Sequence, residues 1–310
     1  MTTLLLSHDA FILHAVPEGH PERPDRMRAL ARAFRAPAFA GLLREDCPRG
    51  DLSSAALVHD PRYVEMIGAL KPDPDGFIGI DSDTLFSAGT GEANLRALGG
   101  VIRAVDAVFA RQAQNAFLAS RPPGHHAEQN KAMGFCFFNT VAVAARHAQK
   151  MHGAERVAII DWDVHHGNGT QDIFWSDSSV LYASTHQMPL YPGTGAKSEV
   201  GEHNTIVNAP LRAGDGGEAF RAAMNTVILP RVRAHQPDLI IISAGFDAHH
   251  RDPLANLALT EADFAWATTE LMSIAAKSCQ GRLVSVLEGG YDLIGLADSA
   301  SRHVQALMEA

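Results

Sequence analysis

The segment from Val157 to Thr170 reads Val-Ala-Ile-Ile-Asp-Trp-Asp-Val-His-His-Gly-Asn-Gly-Thr, and the rest of the chain is best understood from it. Four apolar residues run directly into acids and histidines, which then give way to glycine. The apolar run predicts a strand buried on both faces, as in a parallel sheet covered by helices. The polar residues then lie at the carboxyl end of that strand, where open α/β sheets bind their ligands.

Asp163 and His165 are alternate residues of this segment, so their side chains point the same way in an extended chain. A carboxylate and an imidazole that converge at a strand end are suitable ligands for a zinc-like ion. The alternative is a solvated loop that happens to be rich in Asp and His. That alternative is disfavoured because the polar cluster directly follows a buried strand.

The composition is that of an ordinary globular protein, with 310 residues, 46% hydrophobic and 20% charged. The net charge of −9 argues against broad nucleic-acid binding, which needs a basic face. The chain begins without a basic, signal-like segment, and no apolar stretch is long enough to cross a membrane. The three cysteines have no close spacing, which disfavours disulfides and a cysteine-type zinc site. We therefore expect a protein of the reducing cytoplasm, with no membrane partner.

Strands alternate with helices along the whole chain, which predicts βαβ units and a mostly parallel sheet. The predicted strands cover residues 3–7, 116–119, 157–160, 180–184, 205–208, 239–243 and 283–287. The predicted helices cover residues 25–34, 61–70, 89–111, 138–151, 217–234, 261–277 and 293–308. No repeat, low-complexity tract or long linker divides the chain, so a single domain over residues 1–310 is predicted.

An apolar run followed by a reactive loop occurs four times, and in a parallel sheet all four loops share one edge. These loops carry the His125–His126 pair, the segment described above, Asp247 and Tyr291. One metal could take Asp163, His165 and Asp247, leaving a position open for water, as in catalytic zinc sites. Alone, Asp247 would more often be a helix cap, but its place after Ile-Ile-Ile-Ser-Ala-Gly favours a ligand.

A water molecule activated by a metal needs a proton acceptor, and the leaving group later needs a donor. His125 and His126, held by a stiff Pro-Pro-Gly turn, are the candidates, although a second metal pair or a surface position stays open. Asp161 is suited to orient an imidazole. Tyr291 follows two glycines and could swing its hydroxyl toward an oxyanion, whereas by itself it would most often be core packing.

Six motifs in this order resemble the zinc-dependent histone deacetylase family, most closely its class II-like bacterial amidohydrolases. They are Arg121-Pro-Pro-Gly-His-His126, Gly134-Phe-Cys-Phe-Phe-Asn139, Asp161-Trp-Asp-Val-His-His-Gly-Asn-Gly-Thr170, Tyr191-Pro-Gly-Thr-Gly195, Ser243-Ala-Gly-Phe-Asp247 and Leu287-Glu-Gly-Gly-Tyr291. They span most of the chain. The resemblance implies the arginase/deacetylase fold, a single three-layer α/β domain with a central, mostly parallel sheet of eight strands and helices on both faces.

The resemblance also implies a role for each matching position. The zinc ligands would be Asp163, His165 and Asp247, and the catalytic groups His125, His126, Tyr291, Asp161 behind His125 and Asn168 behind His126. Many members have Asp at position 168, and the class II branch has Asn, so His126 should be less easily protonated here. Substrate would meet Gly134, Phe135, Tyr191, Leu254 and, at the rim, Asp83. A structural K⁺ would lie near Asp161, Asp163, His165, Ser184 and Thr185, and Arg26 would line an internal channel.

The implied reaction is removal of an acyl group, with acetyl the best guess, from acetyl-lysine of a peptide or protein or from a small acylated amine. The alternative substrate is an acetylpolyamine. Two features disfavour an acetylpolyamine. Leu254 stands where polyamine-cleaving members often have a glutamate at the entrance, and the loop of residues 71–83 is too short for the insertion that narrows their entrance. A binding module without turnover would lack the catalytic set, and an arginase-like two-metal enzyme would need further acids near Gly167. A homo-oligomer is possible. His166 is expected to pack, and His249 and His250 to lie in a solvent-facing loop.

Overall fold

A central sheet of eight parallel strands runs through the molecule, and the computed structural model describes residues 2–309. Met1 and Ala310, the ends of the predicted domain, lie outside the described residues. The strands are β1 (Thr3–Ser7), β2 (Leu43–Asp46), β3 (Ile78–Gly79), β4 (Leu85–Phe86), β5 (Asn115–Leu118), β6 (Val157–Asp161), β7 (Val180–Gln187), β8 (Ile206–Leu211), β9 (Leu239–Ala244) and β10 (Leu283–Leu287). The sheet order is β2-β1-β5-β10-β9-β6-β7-β8, and β3 pairs with β4 in a separate antiparallel ladder.

The helices alternate with these strands. They are α1 (Ala10–Leu13), α2 (Asp25–Ala33), α3 (Pro61–Gly68), α4 (Thr90–Phe109), α5 (Thr140–His152), α6 (Asn168–Phe174), α7 (Gly217–Ala223), α8 (Leu229–His235), α9 (Glu261–Ser278) and α10 (Leu293–Glu309). A π-helical turn, Met224–Ile228, joins α7 to α8. In the part of the chain that the structure describes, no helix has the length and apolar character needed to cross a bilayer.

Complete burial of the inner strands explains the layered architecture. Every residue of β6, β9 and β10 is buried, although successive side chains point to opposite faces of the sheet. Helices must therefore cover both faces, which gives the predicted three layers. The eight-stranded fold is confirmed, and seven of its strands were predicted individually.

The strand β2 was missed because it does not carry the signal of a buried strand. It reads Leu-Arg-Glu-Asp, lies at the edge of the sheet beside β1, and is mostly exposed. A polar edge strand has no apolar run to reveal it, and charged residues there discourage pairing with other chains.

The helix ends follow local sequence signals. Asn139 caps α5 by accepting a hydrogen bond from the Ala142 N–H at 3.0 Å, and Gly153 ends this helix with a φ of +68°. Thr260 and Asp263 form a capping box at the start of α9.

The sheet order positions the site. The four strands whose loops carry candidate residues, β5, β10, β9 and β6, are consecutive neighbours and parallel. Their carboxyl ends therefore meet at one edge, as the sequence predicts.

Candidate active site

Asp163, His165 and Asp247 converge at this edge, with one potential ligand atom from each within 4.8 Å of the others, and all three are buried. His165 Nδ1 lies 3.2 Å from Asp163 Oδ1 and 3.2 Å from Asp247 Oδ2. The carboxylates are also held by the backbone, because Asp247 accepts the Val164 N–H at 2.8 Å and Asp163 accepts the Gly289 N–H at 2.8 Å. The structure thus brings together the three residues predicted as metal ligands.

The charges of this cluster suit a bound cation. Burial and the nearby Asp163 carboxylate raise the pKa of Asp247 to about 8. Burial opposes protonation of His165, but hydrogen bonds with both carboxylates outweigh it and raise the pKa of His165 to about 10. Two buried carboxylates that share one imidazole attract positive charge, and one nitrogen with two oxygen donors is a suitable set for zinc.

Two glycines make room for these carboxylates. A Cβ on Gly245 would lie 2.2 Å from Asp163 Oδ2, and a Cβ on Gly289 would lie 2.1 Å from Asp247 Oδ2. Any side chain at either position would displace a candidate ligand, so the glycines of Ser-Ala-Gly and Glu-Gly-Gly are part of the site.

The tandem histidines lie side by side, with ring centroids 4.0 Å apart, but they have different partners. His125 Nδ1 lies 2.9 Å from Asp161 Oδ2, whereas His126 Nδ1 lies 2.8 Å from Asn168 Oδ1. Burial would lower the pKa of His125, yet Asp161 and other nearby carboxylates raise it well above its ordinary value. Burial and the charge of its neighbour lower the pKa of His126 well below its ordinary value. The pair therefore combines a proton-holding and a neutral imidazole.

Asp161 also connects β6 to β7. Its Oδ2 accepts a hydrogen bond from the Tyr182 hydroxyl at 3.1 Å, and the strand register sets Asp161 beside Ser184. Ser184 and Thr185 are buried there, and the Ser184 hydroxyl lies 2.9 Å from His186 Nδ1. Asp161 and Ser184, two of the residues predicted to surround K⁺, are thus neighbours, and both offer the oxygen atoms that a hard cation prefers.

The backbone and the ring of Tyr291 each have a close partner. Its backbone N–H donates to Asp252 Oδ2 at 2.7 Å, and the Arg26 guanidinium lies 5.1 Å from the centre of its ring. Arg26 is buried and donates to the Gly290 carbonyl at 2.7 Å. Arg26 and Asp252 together fix the loop that carries the tyrosine.

A cavity of about 380 Å³ leads from the surface to these groups. Its lining includes His20, Pro21, Ser82, Asp83, His126, Gly134, Phe135, His165, Leu190, Tyr191, Leu254 and Tyr291. Phe135 adopts the left-handed region, with φ +69°, which sets its ring edge-on to Tyr291 at 5.9 Å. Asp83 and Tyr191 are exposed at the mouth, where Leu254 also lies. All five residues predicted to meet substrate line this cavity.

Three residues of the site were given no role from the sequence. The Glu288 carboxylate accepts the Gly124 N–H at 2.7 Å and the Ser243 hydroxyl at 2.8 Å, which locks the turn before the histidines. Asp252 joins the Tyr291 loop to the Leu254 loop, since it also accepts the Leu254 N–H at 3.0 Å. His20 lines the cavity. The only available signal was that Glu288 follows a buried strand, as Asp161 does.

His166, His249 and His250, for which the sequence predicts no catalytic role, have separate environments. His166 is buried, with Nδ1 2.7 Å from the Thr194 hydroxyl, and it supports the loop that carries Tyr191. The prediction that His249 and His250 face solvent is wrong for His249, which is only 3% exposed, and right for His250. His249 is covered because α10 packs against it, with Gly295 close to its ring.

Comparison with known proteins gives one consistent result. The histone deacetylase domain model matches residues 20–307. A probable deacetylase of Archaeoglobus fulgidus is 39% identical, covering 95% of this chain and 83% of that protein. A histone deacetylase-like amidohydrolase of Pseudomonas aeruginosa is 39% identical over 88% of this chain and 73% of its own. The crystal structure of the HDA15 HD domain superposes with a TM-score of 0.92 at 36% identity, covering 100% of this chain and 89% of that one. The chain therefore belongs to the histone deacetylase family and is a deacetylase-type amide hydrolase.

Proposed function

We propose that this protein is a zinc-dependent deacylase that removes an acetyl group from acetyl-lysine in a peptide or protein. The observation that carries the proposal is the pair of buried, adjacent histidines with unlike partners, located beside three convergent ligands at the base of a cavity. Asp163, His165 and Asp247 would hold the metal. When bound, Zn²⁺ supplies Lewis acidity to the amide carbonyl and lowers the pKa of water.

The protein side chains move the protons of the reaction. Hydrolysis joins the oxygen of water to the acyl carbon and breaks the C–N bond, so water loses a proton and the leaving amine gains one. His126 has a lowered pKa and an uncharged partner, which suits it to accept the proton from water. The Asp161 carboxylate favours the protonated form of His125, so the histidine pair holds a proton that it can donate to the leaving amine. The Tyr291 hydroxyl, at the same cavity, stabilises the developing oxyanion.

The cavity mouth bears on the choice of substrate. Phe135 and Tyr191 present aromatic walls to a narrow stem, and Leu254 is an apolar rim residue. An apolar rim suits the uncharged stem of acyl-lysine better than a polycation, whereas the exposed Asp83 carboxylate would attract a cationic acetylpolyamine. Acetylpolyamine hydrolysis is therefore the second candidate, supported by that single carboxylate.

Three smaller proposals accompany this function. K⁺ would bind near Asp161 and Ser184, and residues 1–310 would act as one deacetylase domain. The enzyme would work in the cytoplasm, although its relatives in rice and Arabidopsis thaliana are named as chloroplastic. The mass of the protein in solution would show whether it forms a homo-oligomer.

A substrate screen tests the proposal directly. Acyl-lysine peptides, acetylspermidine and acetylputrescine would be assayed side by side, each with and without a hydroxamate chelator. We expect hydrolysis that the chelator abolishes, with the highest kcat/KM on an acetyl-lysine peptide. Faster turnover of the polyamines would favour the second candidate, and no chelator-sensitive hydrolysis of any substrate would overturn both.

A further inference from the structure

A second cluster of histidine and carboxylate side chains lies away from the active site. Asp106 on α4 faces His147 and His152 on α5, and the Nε2 atoms of both imidazoles lie 2.7 Å from the same oxygen, Asp106 Oδ1. Within residues 2–309, only this cluster and the active-site triad bring three potential ligand atoms within 4.8 Å of one another.

We propose that Asp106, His147 and His152 form a second metal site that binds a divalent transition ion of the zinc class. Two imidazole nitrogens and one carboxylate oxygen suit Zn²⁺, Ni²⁺ or Cu²⁺, whereas Mg²⁺ and Ca²⁺ prefer oxygen ligands. Ligands bound tetrahedrally at ~2.1 Å lie ~3.4 Å from one another, so each imidazole nitrogen, now 2.7 Å from Asp106 Oδ1, would need to move away from it by about 0.7 Å.

Two helix C-termini near the cluster favour a cation, whereas one positive group, the Arg282 guanidinium, already lies 4.8 Å from the centre of the Phe109 ring. α5 ends at His152 and α4 ends at Phe109, three residues after Asp106, so the carbonyl ends of two helices point to this region. The C-terminal end of a helix carries partial negative charge, although the Asp106, Ala107 and Val108 carbonyls at the end of α4 accept backbone N–H groups. Phe109 stacks on His152, with centroids 4.6 Å apart and planes 11° apart, and this stacking sets the orientation of the imidazole.

The ligands are accessible to solvent. The side chain of Asp106 is 44% exposed, and those of His147 and His152 are 12% and 23% exposed, so an ion can enter and retain water. A metal ion binds a deprotonated carboxylate and neutral imidazoles.

A bound ion would join α4 to α5 without touching the reacting groups. The opposite end of α5 adjoins the active site, where Asn139 donates to the Thr170 hydroxyl at 3.0 Å. The expected effect is thermal stabilisation by mass action, since the ion binds the folded chain. This inference is independent of the proposed function, because it concerns different residues and a different readout.

The test uses the holoenzyme loaded with one equivalent of Zn²⁺. We expect calorimetry with ZnCl₂ to show a second equivalent bound, elemental analysis after gel filtration to give two ions per chain, and Tm to rise. His147→Asn and His152→Asn should each weaken the second binding event by about tenfold or more. The exposed His203 provides the matched control, since His203→Asn should bind both ions as the parent protein does.

Two results would overturn the inference. One is a parent holoenzyme that binds no second equivalent, a result that does not depend on how any variant folds. The other is a second equivalent retained with unchanged affinity in His147→Asn, His152→Asn and Asp106→Asn, which would place that ion elsewhere. Circular dichroism of each variant confirms that lost binding is not lost structure.

Discussion

Replacing Asn168 with aspartate should destabilise the protein unless Glu128 is changed with it. The Asn168 amide oxygen lies 2.8 Å from His126 Nδ1, and its amide nitrogen donates to Glu128 Oε1 at 2.7 Å. The amide therefore uses its acceptor on one side and its donor on the other. An aspartate would keep the first contact and set a second carboxylate against Glu128.

The magnitude follows from that geometry. A hydrogen bond to a charged group contributes about 1.5 to 3 kcal/mol, and its loss leaves Glu128 without this donor. Two like charges 4 Å apart repel by about 4 kcal/mol at an effective dielectric constant near 20. Glu128 is only half-buried and can turn toward water, which removes most of that repulsion. We expect Asn168→Asp to lower the free energy of unfolding by about 2 to 4 kcal/mol, and added Glu128→Gln to restore about 2 kcal/mol.

The same substitution should change the pH dependence of catalysis. A carboxylate beside His126 favours the charged imidazole and raises the pKa of His126 from its lowered position. A general base must be neutral to act. As the pH falls, the variant therefore loses activity at a higher pH than the parent enzyme does. The acid limb of the kcat/KM profile should move upward by about one pH unit or more, in both the single and the double variant.

Denaturant unfolding of the parent, the two single variants and the double variant measures the coupling energy between positions 128 and 168. Glu128→Gln alone is the control and should be near the parent stability, because glutamine can still accept from the Asn168 amide. Equal stability of Asn168→Asp and the parent, with a coupling energy under about 0.5 kcal/mol, would show that the contact between Asn168 and Glu128 does not stabilise the fold. An unmoved acid limb would remove His126 from the role of base.

Three further changes test other parts of the site. Tyr291→Phe should lower kcat by about 10²- to 10³-fold with metal content unchanged, and unchanged turnover would refute the oxyanion role. Gly289→Ala should abolish tight metal binding in elemental analysis, since its Cβ would lie 2.1 Å from Asp247 Oδ2. Gly91→Ala, whose Cβ meets no atom nearer than 3.7 Å, is its control, and equal metal content in both would contradict the reasoning. Leu254→Glu should shift kcat/KM about tenfold toward acetylspermidine over an acetyl-lysine peptide, and an unchanged ratio would argue against control by the rim.

The inner strands of the sheet could be predicted from the sequence because buried strands consist mostly of apolar residues. Strands β6, β9 and β10 are wholly buried and mostly apolar, so the sequence alone shows where they lie and where the polar loops after them begin. Parallel pairing then requires those loops to meet, and the structure confirms that the four strands are neighbours. The exposed edge strand β2 has no apolar run and was therefore not predicted.

Contacts between distant residues were the part that sequence could not supply. Nothing near Asp252 in the chain indicates that its carboxylate binds the N–H of Tyr291, which lies 39 positions away. The burial of His249 likewise depends on how α10 packs, not on its own polar neighbours. Residue types predicted which chemistry could occur, whereas the hydrogen bonds that fix each loop depend on the folded arrangement.

Those long-range contacts imply that the fold, more than a bound ion, shapes the base of the site. Asp247 accepts a backbone N–H from the loop after β6, and Asp163 accepts one from the loop after β10, so each candidate ligand ties two loops together. A cation would thus enter a frame already fixed by the sheet and by backbone hydrogen bonds. Because the base is held by these backbone contacts, we expect substrate choice to depend on the rim, where Asp83, Tyr191 and Leu254 are exposed.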